Sequence, residues 1–90
     1  MPTQFLWDTR PGRNVDHVVA HGMTTDLWET VYHRAARTAR DKDDETITIA
    51  EGRHSRQWYR IIYTEQSDGT VVPLSIFPIT GFPIERRALR

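Results

Sequence analysis

The chain contains no cysteine, so disulfides and thiolate chemistry are excluded and the redox compartment is left open. It has no apolar run approaching the roughly 20 residues of a membrane-spanning helix. It shows no basic leader followed by an apolar stretch, no internal repeat, no linker and no low-complexity segment. Nothing here points to export or to a membrane, and a cytoplasmic protein is the expectation. No cysteine pattern or H-E-x-x-H spacing supplies a metal-ligand set. Net charge is missing too: twelve Lys/Arg balance twelve Asp/Glu. A dedicated nucleic-acid binder is usually more basic overall.

What remains is enough for one small domain spanning residues 1–90. Three Trp, three Tyr and three Phe must supply much of the buried area of so short a chain. The zero net charge hides a split. Residues 1–52 carry an excess of three acidic groups, and residues 53–90 an excess of three basic ones. The basic half can meet a phosphate backbone or an acidic partner. Three charges spread over a solvated surface are the plainer alternative.

Along the chain, Thr3–Trp7 reads as a short first strand and Thr9-Arg10-Pro11-Gly12 as a turn. Asn14 is placed to cap a helix over about Asn14–His21, with Val15, Val18 and Val19 on one face. Gly22 suits a left-handed helix stop, and Thr24 can cap a second helix with Asp26 in its first turn. The spacing of Leu27, Trp28, Val31, Tyr32 and Ala35 predicts that helix from about Thr25 to Ala36 or a little beyond. Arg34, Arg37 and Arg40 then lie near its C-terminal end. Asp41–Glu45 reads as a charged loop, Thr46–Ala50 as an alternating strand and Gly52–Ser55 as a turn.

Gln57–Thr64 carries the strongest strand signal, with Trp58, Arg60 and Ile62 on one face and Tyr59, Ile61 and Tyr63 on the other. Ser67-Asp68-Gly69 signals a hairpin turn. Val71–Ile79 reads as a strand whose Pro73 and Pro78 demand an edge or a bulge. Gly81-Phe82-Pro83 breaks the chain before a basic tail, Ile84–Arg90. The expected order is β-α-α-β-β-β, a two-layer α+β domain with both helices on one face of an antiparallel sheet.

Two groups of residues can carry chemistry. His17 and His21 share a helix face and can ligate a metal, but a metal needs at least a third ligand. A helix-end role for His21 needs no metal. No metal or cofactor is expected. His54 is flanked by Arg53 and Arg56, with Arg60 further along the strand. Metal-independent RNA cleavage needs a base for the 2′-hydroxyl proton, an acid for the leaving 5′-oxygen, and positive charge on the transition state. Histidine serves either proton transfer and arginine supplies permanent charge. A solvated hairpin turn with no specific role is the alternative. Trp58, Tyr59 and Tyr63 can stack on bases or fill the core.

The opening Phe5-Leu6-Trp7-Asp8, the Asn14…His17…His21-Gly22-Met23-Thr24 segment and the Tyr59–Thr64 strand together resemble the BrnT-type toxins. These are small RelE-like ribonucleases of bacterial toxin–antitoxin pairs. The resemblance implies the same element order, RNA as substrate and a small antitoxin as partner. Arg53 approximately matches the family's strand-end arginine. Glu85-Arg86-Arg87 resembles its C-terminal Glu-Arg, which makes Arg86 and Arg87 candidate RNA contacts. The family's later arginine, in a Ser-Ala-Arg-like run, corresponds here to Pro78 within Ser75-Ile76-Phe77-Pro78. The expectation is a toxin-like, metal-independent ribonuclease with His54, Arg53, Arg56 and Arg60 as its catalytic set. The alternative is a catalytically inactive BrnT-like protein that acts as a protein-binding module.

Overall fold

A computed structural model describes residues 2–79; Arg86, Arg87 and the expected basic tail lie outside the described residues. Two helices come first, α1 (Asn14–Ala20) and α2 (Thr25–His33). Four strands follow: β1 (Ala35–Arg40), β2 (Ile47–His54), β3 (Gln57–Glu65) and β4 (Val71–Ile79). They form one antiparallel sheet in the order β1-β2-β3-β4. Both helices pack on one face, so the expected two-layer α+β arrangement with a closing meander is what the chain forms.

The first strand is reduced to a single parallel bridge, Phe5 to Val71. The Leu6 N–H donates to the Val71 carbonyl and the Val71 N–H to the Gln4 carbonyl, both at 2.8 Å. This tie covers the start of β4, an edge that would otherwise offer unpaired backbone groups. Asn14 serves the same end rather than capping α1. Its Oδ1 accepts from the Asp8 N–H at 2.7 Å. Its Nδ2 donates to the carbonyls of Leu6 at 2.7 Å and Pro73 at 3.0 Å. Arg13 occupies the N-cap position and makes no side-chain cap bond. Thr24 does cap α2, its hydroxyl accepting from the Leu27 N–H at 3.0 Å. Gly22 stops α1 with φ at 76°.

The second helix ends earlier than its periodicity predicts. Ala35–Arg40 pairs with β2 instead of adding two turns. The alanines and arginines there are good helix formers, but tertiary pairing outweighs a propensity of a few tenths of a kcal/mol per residue. The turn expected at Gly52–Ser55 is also displaced, because β2 continues to His54. Gly52 is there for clearance: a Cβ on it would lie 2.8 Å from the Val31 carbonyl oxygen of α2.

Trp28 is the hub of the core. It is fully buried with Val18, Val31, Ala50, Ile61, Val71 and Ile76, and Tyr63 lies among them. Phe5, Trp7 and Tyr63 meet its ring edge-on at 5.8–5.9 Å between centroids, and Tyr32 stacks on it at 5.9 Å. Its indole N–H donates to the Ser75 carbonyl at 2.9 Å. Of the expected α1 face, Val18 is buried but Val19 points to solvent at 59% exposure. A helix of seven residues presents too few turns for a broad face. The prolines sit where their chemistry allows: β4 ends the sheet order among the described residues, Pro73 adjoins a register shift and Pro78 is exposed.

Candidate functional site

The β2–β3 connection is a two-residue turn, Ser55-Arg56, and both residues have positive φ, 51° and 68°. Such a turn matches the twist of its strands but is normally filled by Asn-Gly. Arg56 is therefore held in a left-handed conformation that costs a non-glycine residue roughly 1–2 kcal/mol. The turn fixes the register, pairing His54 with Gln57, Arg53 with Trp58 and Glu51 with Arg60.

That register divides the expected catalytic set. Ala50 and Gly52 face the helices, and side chains alternate along a strand, so His54 lies on the helix side. Arg53 and Arg60 lie on the opposite face, and Arg56 stands at the turn between the two sides. His54 meets Arg34 rather than Arg60: Arg34 Nη1 is 3.5 Å from His54 Nδ1. Arginine only donates, so this contact needs an unprotonated Nδ1. Arg34, assigned from the sequence to the helix end, is a member of the site that the sequence reading missed.

Arg53 and Arg56 are exposed and have no acidic partner among the described residues. With Arg34 and His54 they concentrate basic groups at one end of the sheet. Arg60 is engaged elsewhere. Its Nε and Nη2 both donate to Glu51 Oε2, at 2.9 and 2.8 Å, and its guanidinium lies 5.9 Å from the centre of the Phe77 ring. Glu51 is 1% exposed. Its role was legible in principle. A two-residue turn at Ser55-Arg56 sets Glu51 opposite Arg60, whereas a turn at Gly52–Ser55 hides the pair.

Tyr59 and Tyr63 belong to the core side, as their alternation predicts; Tyr63 is 7% exposed and Tyr59 packs against the cluster. His17 on α1 and His21 at its C-cap are both exposed. Among the described residues, no three His, Asp or Glu side chains gather as a metal-binding group. No helix there is long and apolar enough to cross a membrane.

These features define a small α+β protein with two helices on a four-stranded antiparallel sheet and a cationic hairpin end. Compared with protein-family models, curated proteins and solved structures, the chain finds no match.

Proposed function

We propose that the chain is a toxin-like, metal-independent ribonuclease whose reacting phosphate sits at the β2–β3 hairpin end and which a small antitoxin neutralises. The observation that carries this reading is the grouping of His54, Arg34, Arg53 and Arg56 around a strained turn without acidic neutralisation among the described residues. Strain of this kind is retained where a side chain must be presented at a fixed place. In this scheme His54 carries one of the two proton transfers, taking the 2′-hydroxyl proton or protonating the leaving 5′-oxygen, and water carries the other. Arg34 and Arg56 hold the phosphate and offset the negative charge that grows in the transition state. Arg53 reaches the same strand of RNA from the other side of the sheet. The BrnT resemblance of the sequence implies the order β-α-α-β-β-β, whereas the described residues run α-α-β-β-β-β with the first strand reduced to the Phe5–Val71 bridge.

The second reading, a non-catalytic protein-binding relative, is favoured by Pro78. It stands exposed opposite Tyr59 and brings no charge to the position where the family carries arginine. Incubation of the purified chain with RNA in EDTA separates the two. The ribonuclease reading expects cleavage that EDTA leaves unchanged and that His54→Ala lowers about 10²–10⁴-fold. Intact RNA over a broad pH range establishes the non-catalytic reading.

A further inference from the structure

The end of the sheet opposite the hairpin holds a second set of polar side chains. There α2 packs over β2 and β3 and leaves Thr38 and Arg40 of β1 exposed. A cleft of about 340 Å³ opens beside them, lined by Thr38, Ala39, Arg40, Thr48, Tyr63 and Glu65. The register lines up Arg40, Thr48 and Tyr63 across three strands, and Glu65 follows Tyr63 on the same side of β3. Along β2 this row lies about 20 Å from His54, so the cleft is separate from the hairpin end.

Its polar groups are held in place. Thr48 is 8% exposed and Tyr63 7%. Arg40 Nη1 donates to the Thr48 hydroxyl and to the Glu45 carbonyl, both at 3.3 Å. One end of a long cation is thereby fixed, which lowers the ordering cost of binding, while its Nε and Nη2 make no hydrogen bond among the described residues. The Thr48 oxygen accepts from Arg40, so its own O–H is left to donate. The Tyr63 hydroxyl has no hydrogen-bond partner among the described residues, and no fully buried side-chain polar atom there lacks one, so this hydroxyl opens on the cleft that its residue lines. Burial pushes the phenol up to about 12 and keeps it a neutral donor; Glu65 adds to the rise and Arg40 opposes it, so both charges are felt there.

Three donors, one of them permanently charged, meet one space, and that is the chemistry of an oxyanion site. A site for an anion alone would not carry a carboxylate at its rim. Glu65 is exposed, and neither it nor Arg40 has an ion-pair partner among the described residues. Their backbones stand two strands and two residues apart, roughly 12 Å, so the two charges line one cleft without neutralising each other. A carboxylate matches the single cation; a phosphate dianion would leave a charge uncompensated beside Glu65.

We propose that this cleft binds a small amino carboxylate, with its carboxylate on Arg40, Thr48 and Tyr63 and its ammonium on Glu65. The proposal stands apart from the ribonuclease reading, since it needs neither His54 nor RNA.

The test is NMR titration of the isotope-labelled full chain with γ-aminobutyrate and with ε-aminocaproate, two zwitterions of different length. Butyrate and butylamine, each offering one half of the ligand, are the comparison. Saturable shifts are expected at the amides of Arg40, Thr48, Tyr63 and Glu65 with at least one zwitterion. Either half alone should bind roughly tenfold or more weakly, the worth of one charge-assisted contact. Glu65→Gln should weaken the zwitterion and leave butyrate unchanged or tighter, a difference that a loss of folding would not produce. Arg40→Gln should weaken both. Tyr63→Phe keeps the ring in the aromatic cluster and is expected to keep the thermal melt; it should weaken zwitterion and butyrate but not butylamine. Butyrate binding as tightly as the zwitterions makes this a plain anion site and overturns the proposal. No saturable shift with either zwitterion, shifts confined to the hairpin, or full affinity in Glu65→Gln or Tyr63→Phe overturns it as well.

Discussion

Tyr63 shows how one residue carries the chemistry of its surroundings. Its ring lies in the aromatic cluster against Trp28 and Tyr32, and burial is the main cause that pushes its phenol up to about 12. Charges at Tyr32 and Glu65 add to the rise, and Arg40 opposes it. A phenol raised from its ordinary value of 10.0 favours the neutral form in the fold. Its contribution to stability is complete below about pH 10 and is lost as pH climbs through about 12. Absorbance titration of the phenolates should show Tyr63 ionising late and together with alkaline unfolding. Release of every tyrosine in one transition near the ordinary value, with the fold intact, contradicts this. Gly52 makes the opposite point, because there the absence of a side chain matters. Gly52→Ala places a Cβ 2.8 Å from backbone that cannot yield easily. It should cost about 1–3 kcal/mol in denaturant unfolding; a loss below about 0.5 kcal/mol means that α2 can shift away from β2.

At the scale of elements, the β2–β3 hairpin sets stability against presentation of charge. Arg56→Gly relieves a left-handed arginine at the entropic cost of a glycine, a net gain of about 0.5–1 kcal/mol. Under the proposed function the same change removes a phosphate contact. The variant is therefore expected to melt higher and to cleave RNA more slowly, measured by calorimetry and by gel. A variant that gains stability with full activity excludes Arg56 from the site.

The hairpin is also where the sequence was hardest to read. Alternation located β3 and assigned its faces correctly, because aromatic and branched residues there obey a period of two. The start of α2 was legible through Thr24, whose side chain bonds locally. Its end was not. Nothing between His33 and Arg40 breaks a helix, and only the long-range pairing with β2 turns Ala35–Arg40 into a strand. The same distinction applies to the candidate site. His54 and its neighbours were visible as a basic cluster, but the face on which each lies depends on a turn without glycine or asparagine. Arg34 joins through the fold alone.

For the whole molecule, the charge split along the chain does not map directly onto space, because Arg34 from the acidic half joins Arg53 and Arg56 at the hairpin end. Under the proposed function, an acidic surface on an antitoxin would complement Arg34, Arg53 and Arg56. Co-expression with the product of an adjacent gene, followed by pull-down at low salt, should recover a complex that weakens as salt rises. Failure to bind at low salt counts against that pairing.

The tie between Phe5 and Val71 has a consequence for how the chain comes to be folded. Residues near its beginning wait for residues made more than sixty positions later. Until β4 emerges, the Asn14 amide lacks its Pro73 acceptor, the Trp28 indole lacks Ser75, and Phe5 lacks its strand. Contacts so distant in sequence slow folding, because the chain loses loop entropy before it gains any interaction in return. The aromatic cluster thus remains incomplete through most of synthesis, and a nascent chain that stops short of residue 71 exposes the apolar face on which the finished domain depends.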